Sequence, residues 1–122
     1  MTAIAFLVAA AIGAPARLLV DRSMQRRRPG RFPWGTCTAN VVGCFLLGVL
    51  TGLGLYHGLS ADVRTSIGTG GIGTFTTFSA FTADTVQLID EGEVEAAVRN
   101  VFGNIALGLA SAALGIATVA AL

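Results

Sequence analysis

Gly68-Thr69-Gly70-Gly71-Ile72-Gly73-Thr74-Phe75-Thr76-Thr77-Phe78-Ser79-Ala80-Phe81-Thr82 is the stretch that decides how this chain is read. Four glycines in six positions, followed by β-branched threonines, make a poor sequence for an unbroken helix. Yet residues 65–83 carry no charge, so the stretch sits inside a run suited to the interior of a bilayer. Non-helical backbone at that depth is tolerated only where protein or a water-filled cavity satisfies its N–H and C=O groups. Broken helices of this kind place ion sites at their ends, with free carbonyls for cations and free amides for anions. The expectation is a membrane helix interrupted near its middle; the bland alternative is a soft, glycine-packed helix with no break.

The rest of the chain supplies the membrane context. Its 122 residues make one domain, 53% hydrophobic and only 12% charged, against about 25% charged in a soluble domain. Mean hydropathy is +0.72. Fifteen formal charges cannot give a soluble domain its polar shell, which argues against a soluble enzyme, a nucleic-acid binder or a disordered segment. A bilayer core of ~30 Å takes about 20 apolar residues as helix. Four spans follow, at about residues 2–20, 35–56, 67–89 and 100–121. The predicted fold is an all-α membrane protein, a single four-helix transmembrane domain over residues 1–122 with a broken third helix. Between the spans lie an arginine-rich loop at 21–33, a short loop near 58–65 and an acidic loop at 90–95. Ala14-Pro15-Ala16 imitates a signal-peptide cleavage site, but no Lys or Arg precedes it, so a retained helix is the better reading.

Several side chains stand out. Phe75, Phe78 and Phe81 recur every three residues and would stack on one helix face, ordinarily a lipid-facing or core stripe. Their neighbours Thr76, Thr77, Ser79 and Thr82 are hydroxyls, and a phenyl ring has a positive edge that can favour an anion without trapping it. Asn40 is a carboxamide in mid-span, flanked by Thr36 and Thr38; it needs partners, either as glue between helices or in a pore. Arg17 is the one charge of the first span, able to snorkel or to line an anion vestibule. Asp84, three residues past Phe81, is either a proton or cation site or a hydrated group near the end of its span. Cys37 and Cys44, about 10 Å apart along one helix, are too distant for a disulfide. Gly48-Val49-Leu50-Thr51-Gly52 is a GxxxG contact signal, open to packing within the chain or between copies. Metal-ligand spacing, a nucleophile–base arrangement and a phosphate loop are all missing, so the sequence does not read as an enzyme.

Three segments resemble one known family, the CrcB/Fluc fluoride channels. Gly70 to Phe81 looks like its G-x-x-T-T-F-S-T-F signature. Gly35-Thr36-Cys37-Thr38-Ala39-Asn40-Val41-Val42-Gly43 is similar to its G-T-x-x-x-N-x-x-G, and Gly13-Ala14-Pro15-Ala16-Arg17 to its G-A-x-x-R. The resemblance implies an antiparallel dimer in the cell membrane that passes fluoride passively and selectively over chloride. It implies a fluoride path lined by the ring edges of Phe78 and Phe81, with Asn40 as polar donor, Thr38 nearby, and Ser79 and Arg17 along the way. It also implies a structural sodium ion at the dimer centre, held by the carbonyls of Gly73 and Thr76. Asn100 stands where the family has Tyr, Asn104 where it has Ser and Asp84 where it has Glu.

Charge placement adds a reading of its own. All eight basic residues are arginine, and five of them, Arg22, Arg26, Arg27, Arg28 and Arg31, fall in the first loop; the second holds only Arg64. The positive-inside rule then puts both termini outside. Dual topology needs balanced loops, so the expected partner is a homologous subunit of opposite bias, a heterodimer, with a homodimer as the alternative. The remaining partners are fluoride and membrane lipid, not nucleic acid. A proton-coupled small multidrug-type exporter is the runner-up, although such carriers need a carboxylate in the first helix and residues 1–20 have none. A non-transporting membrane assembly subunit would explain the glycines but not Asn40 and the Phe/Thr face together.

Overall fold

A computed structural model describes residues 2–122, and the described residues form helices joined by short turns. We label them α1 (Thr2–Arg27), α2 (Trp34–Tyr56), α3 (residues 61–75), α4 (Phe78–Asp90) and α5 (Val94–Ala120). By length and composition α1, α2 and α5 can each cross a membrane as a single rod. The third segment of the four-helix arrangement is divided into α3 and α4, with Thr76 and Thr77 between them.

The connections 28–33 and 91–93 lie at the same end of the bundle. Arg31 Nη1 donates to Glu93 Oε1 at 2.9 Å across them. Phe32 packs on the buried Leu88, Ala96 and Ala97, and the Arg99 guanidinium sits 5.6 Å from its ring centre. The chain therefore runs up and down, with the 57–60 turn at the opposite end. α4 closes on Gly92, at φ +80°, where the amides of Gly92 and Glu93 return to the carbonyls of Ile89 and Leu88. This left-handed cap takes up carbonyls that the helix end would otherwise leave free.

Three boundaries differ from the sequence reading. The third segment begins at Ala61 instead of residue 67, which shortens the second loop from about 58–65 to 57–60. The first loop begins at residue 28 instead of 21, because Arg22–Arg27 continue α1. Arginine, methionine and glutamine are good helix formers, and Arg26 and Arg27 complement the negative end of the helix. α5 starts at Val94, a turn and a half before the predicted Asn100, with Glu95 in its positive first turn.

α2 and α5 form the main seam. Gly48, in the GxxxG, lies against the backbone of Ala112, and Gly115 faces the backbone of Phe45, Gly48 and Val49; a Cβ at either would strike main chain. The GxxxG thus serves packing within the chain. The glycines of α3 do the same against α1, where Gly13 abuts Gly71 and Gly70 abuts the backbone of Phe6. Cys37 and Cys44 are free thiols on α2.

Candidate functional site

The glycine-rich stretch stays helical, and the break comes just after it. Residues Thr65–Ile72 are wound wide, closing with an amide from Gly73 to the carbonyl of Gly68, five residues back. Wide turns of this type commonly mark functional places in helices. The turn Gly73–Phe75 follows, and then Thr76 and Thr77 both adopt extended conformations. Glycine alone did not break the helix because Gly70 and Gly71 pack on α1 and Gly68 on α2, where contact offsets the intrinsic penalty of glycine.

What holds the break open is Asn40. Its Oδ1 accepts from the Thr77 N–H at 3.0 Å, and its Nδ2 donates to the Thr77 carbonyl at 3.3 Å. The carboxamide so replaces the acceptor that the Thr77 N–H gives up by leaving the helix, and it adds a second donor to the Thr77 carbonyl, which as N-cap already serves the first turn of α4. The Thr77 hydroxyl then caps α4 by accepting from the Ala80 N–H at 3.2 Å, and it shares a hydrogen bond with the Ser79 hydroxyl at 3.0 Å. In a continuous helix the Gly73 carbonyl would accept from Thr77 and the Thr76 carbonyl from Ala80. Both amides are diverted, to Asn40 and to the Thr77 hydroxyl, so these two carbonyls lose their helical partners. Carbonyl oxygens freed at a break are hard ligands of the kind that cations such as sodium take.

The two extended residues also reset the helical phase. Phe75 precedes the break and lies beside Gly43, so it does not join Phe78 and Phe81 on one face as its spacing suggested. Phe78 and Phe81 do share α4, with ring centres 5.7 Å apart and planes tilted by 43°. Both border a groove of about 260 Å³ with Asn40, Gly43, Thr76 and Asn104. Phe78 is 77% exposed, so one wall of the groove is open to the outside of the chain.

The third wall, from α5, is what sequence reasoning left without a role. Asn104 Nδ2 donates to both the carbonyl and the Oδ1 of Asn100 at 2.8 Å. Asn100, only 1% exposed, donates to the Thr85 hydroxyl at 2.9 Å, which donates to the Phe81 carbonyl at 2.8 Å. A polar chain thereby anchors the backbone of Phe81. Asn104 Oδ1 is buried without a protein partner, an acceptor that groove water can satisfy. The signal was present in the sequence: two carboxamides four apart, one helical turn, in an apolar span.

A second, polar hollow of about 390 Å³ opens at the arginine-rich end, lined by Asp21, Gln25, Arg31, Thr36, Asp84 and Gln87 among others. Thr36 and Asp84 both line it, Asp84 Oδ2 is buried without a hydrogen-bond partner among the described residues, and Asp21 and Arg17 are the charges nearest that carboxylate. Thr36 and Asn40 are one turn apart on α2, and Asp84 and Phe81 nearly one turn apart on α4. The hollow and the groove are therefore successive stations along the same α2–α4 seam. Of the predicted path residues, Asn40, Phe78 and Phe81 come together at the groove, and Ser79 touches it through Thr77. Arg17, half-buried on α1, belongs beside the hollow instead; Thr38 is half-buried on α2 and does not line the groove.

Residues 4–116 match the family model described as CrcB-like protein, Camphor Resistance (CrcB). The chain is 40% identical over 116 residues to the fluoride-specific ion channel FluC 1 of Leifsonia xyli, covering 95% of this chain and 85% of the relative. It is 38% identical over 110 residues to FluC 1 of Streptomyces avermitilis, covering 90% and 89%. Similarity to FluC 2 of Mycobacterium tuberculosis is 42% identity over 104 residues, covering 85% and 79%.

Proposed function

The chain belongs to the CrcB-like family, and on that premise we propose that it is a fluoride-selective ion channel of the cell membrane that lowers cytoplasmic fluoride by passive efflux. Its work is transport, not catalysis. The observation that carries the reading is the Asn40–Thr77 pair, which props the third segment open beside two phenylalanine rims. Fluoride is small and strongly hydrated, so a narrow path must replace water with donors. Asn40 has a second amide hydrogen beyond the one given to Thr77, and the edges of Phe78 and Phe81 present positive potential without a fixed cation to arrest the ion. Hydrogen fluoride, a weak acid, crosses bilayers and dissociates in a near-neutral cytoplasm, and a leak for the anion then relieves the accumulation.

The active form in this reading is an antiparallel dimer. The open wall at Phe78 supports it, because a second subunit would close the groove that one chain leaves exposed. The Gly73 and Thr76 carbonyls would hold a structural sodium ion at the dimer centre, where its charge supplies a fixed point around which two broken helices are held. Arg22, Arg26, Arg27, Arg28, Arg31 and Arg99 gather at one end, with Arg64 alone at the other, which favours both termini outside. Such a bias favours a heterodimer with a homologous subunit, and the numbering of relatives as FluC 1 and FluC 2 fits chains with a sibling.

The test is efflux from fluoride-loaded liposomes, read with a fluoride electrode, for this chain alone and then with its homologous subunit. Efflux by the pair and not by the single chain supports the heterodimer; efflux by the chain alone supports a homodimer. Phe78→Ile and Phe81→Ile are each expected to abolish most of the efflux while chloride stays retained throughout. Normal fluoride leak through both variants would overturn the assigned path.

A further inference from the structure

The last two turns of α1 place arginines on an exposed, otherwise apolar stripe. Ile4, Val8, Ile12 and Leu19 are all exposed, and they repeat at the threes and fours that mark one face of a helix. Arg22 and Arg26 continue that same face, and Arg27 borders it. Leu19, Arg22, Ser23, Arg26 and Arg27 together line a shallow hollow of about 430 Å³.

These guanidinium groups have no carboxylate to neutralise them. Among the described residues the one ion pair is Arg31 with Glu93, and Arg28 lies over the Trp34 ring at 4.9 Å. Asp21, next in sequence, is pressed against Gly35 and lines the polar hollow on the other side of α1. We propose that this face binds the headgroup of an anionic phospholipid, with the phosphodiester in the forks of Arg22, Arg26 and Arg27 and an acyl chain along Leu19 and Ile12. Three features select that occupant. The guanidinium fork matches phosphate oxygens two at a time, whereas lysine, absent from this chain, offers only a point charge. The Ser23 hydroxyl adds a neutral donor. Continuity of the basic hollow with an apolar stripe suits a molecule that is itself anionic at one end and hydrocarbon at the other. The inference depends on α1 spanning a membrane and not on which ion the chain conducts.

Native mass spectrometry of the full chain in detergent tests it, with phosphatidylglycerol, phosphatidylcholine of the same acyl chains, and inorganic phosphate as probes. Phosphatidylglycerol is expected to bind in preference to phosphatidylcholine. The triple variant Arg22→Gln/Arg26→Gln/Arg27→Gln should weaken that binding about a hundredfold, at about fivefold per arginine. Arg64→Gln, at the opposite end, should leave it unchanged. Glutamine preserves helix propensity on an exposed face, so the triple variant keeps the fold. Equal retention of the two lipids, full retention by the triple variant, or an equal loss with Arg64→Gln would each overturn the proposal. Displacement of the lipid by an equal concentration of inorganic phosphate would assign the hollow to a free anion and overturn it as well.

Discussion

The α2–α5 seam and the α3–α4 segment use the same residue for opposite ends. Both are glycine-rich and both lie at membrane depth. Along α2–α5, Gly48 and Gly115 bring two backbones into contact, and both helices run on as rods. Along the third segment, Gly13 and Gly70 let α1 and α3 meet backbone to backbone as well, yet the helix ends five residues after Gly70. The difference is a carboxamide. Thr77 can leave the helix because Asn40 accepts its N–H and donates to its C=O, and no residue plays that part on the α2–α5 seam. A membrane helix breaks where a neighbour supplies substitutes for the backbone bonds, not merely where glycine weakens it.

That contrast can be attacked from both sides. The largest effect is expected from Asn40→Ala, which strands the Thr77 N–H at about 1–3 kcal/mol and also takes a second donor from the Thr77 carbonyl. Thermal unfolding in detergent should fall accordingly and fluoride efflux should drop to the protein-free rate; an unchanged melting curve would mean that water, not Asn40, supports the break. Asn40→Asp keeps an acceptor for the Thr77 N–H but sets a carboxyl oxygen against the Thr77 carbonyl at membrane depth, so it should not restore the stability of the wild type. On the seam, Gly115→Val drives a side chain into the main chain of α2, an overpacking of about 1–3 kcal/mol. It should lower the melting temperature with the third segment's break intact, detectable as unchanged amide-exchange protection at Thr77. Gly103 has open space around it, so Gly103→Ala should reverse the sign and stabilise by about 0.4–1 kcal/mol in the same melt. The smallest effect is Arg31→Gln. Its pair with Glu93 is surface-exposed and worth about 0.2–1 kcal/mol, diminishing further when the melt is repeated at high salt.

Much of this was legible in the residues themselves. Uncharged runs marked the crossings, because hydrocarbon excludes charge irrespective of the neighbours. Asn40 announced its importance for the same reason: a carboxamide at that depth needs partners. Phe78 and Phe81 could be paired from spacing alone. Phe75 could not be excluded from the stripe, since periodicity presumes an unbroken helix and Thr76–Thr77 interrupt the count. Nor did the loop boundary at residue 21 hold, because arginine reads as a loop signal by its charge while it favours helix by its side-chain entropy.

The sequence by itself determined the class of molecule, its helical segments, the end that bears most of the arginines and the short list of polar groups needing company. Those follow from the free energy of placing each side chain in water or in hydrocarbon, which hardly depends on fold. Only the tertiary structure decided who provides that company. It joined Asn40 to Thr77 across 37 residues, hung Asn104 and Asn100 from Thr85, and turned the GxxxG inward onto α5. Hydrogen bonds and backbone contacts are matters of distance and angle between segments remote in sequence, and those distances exist only once the helices have packed.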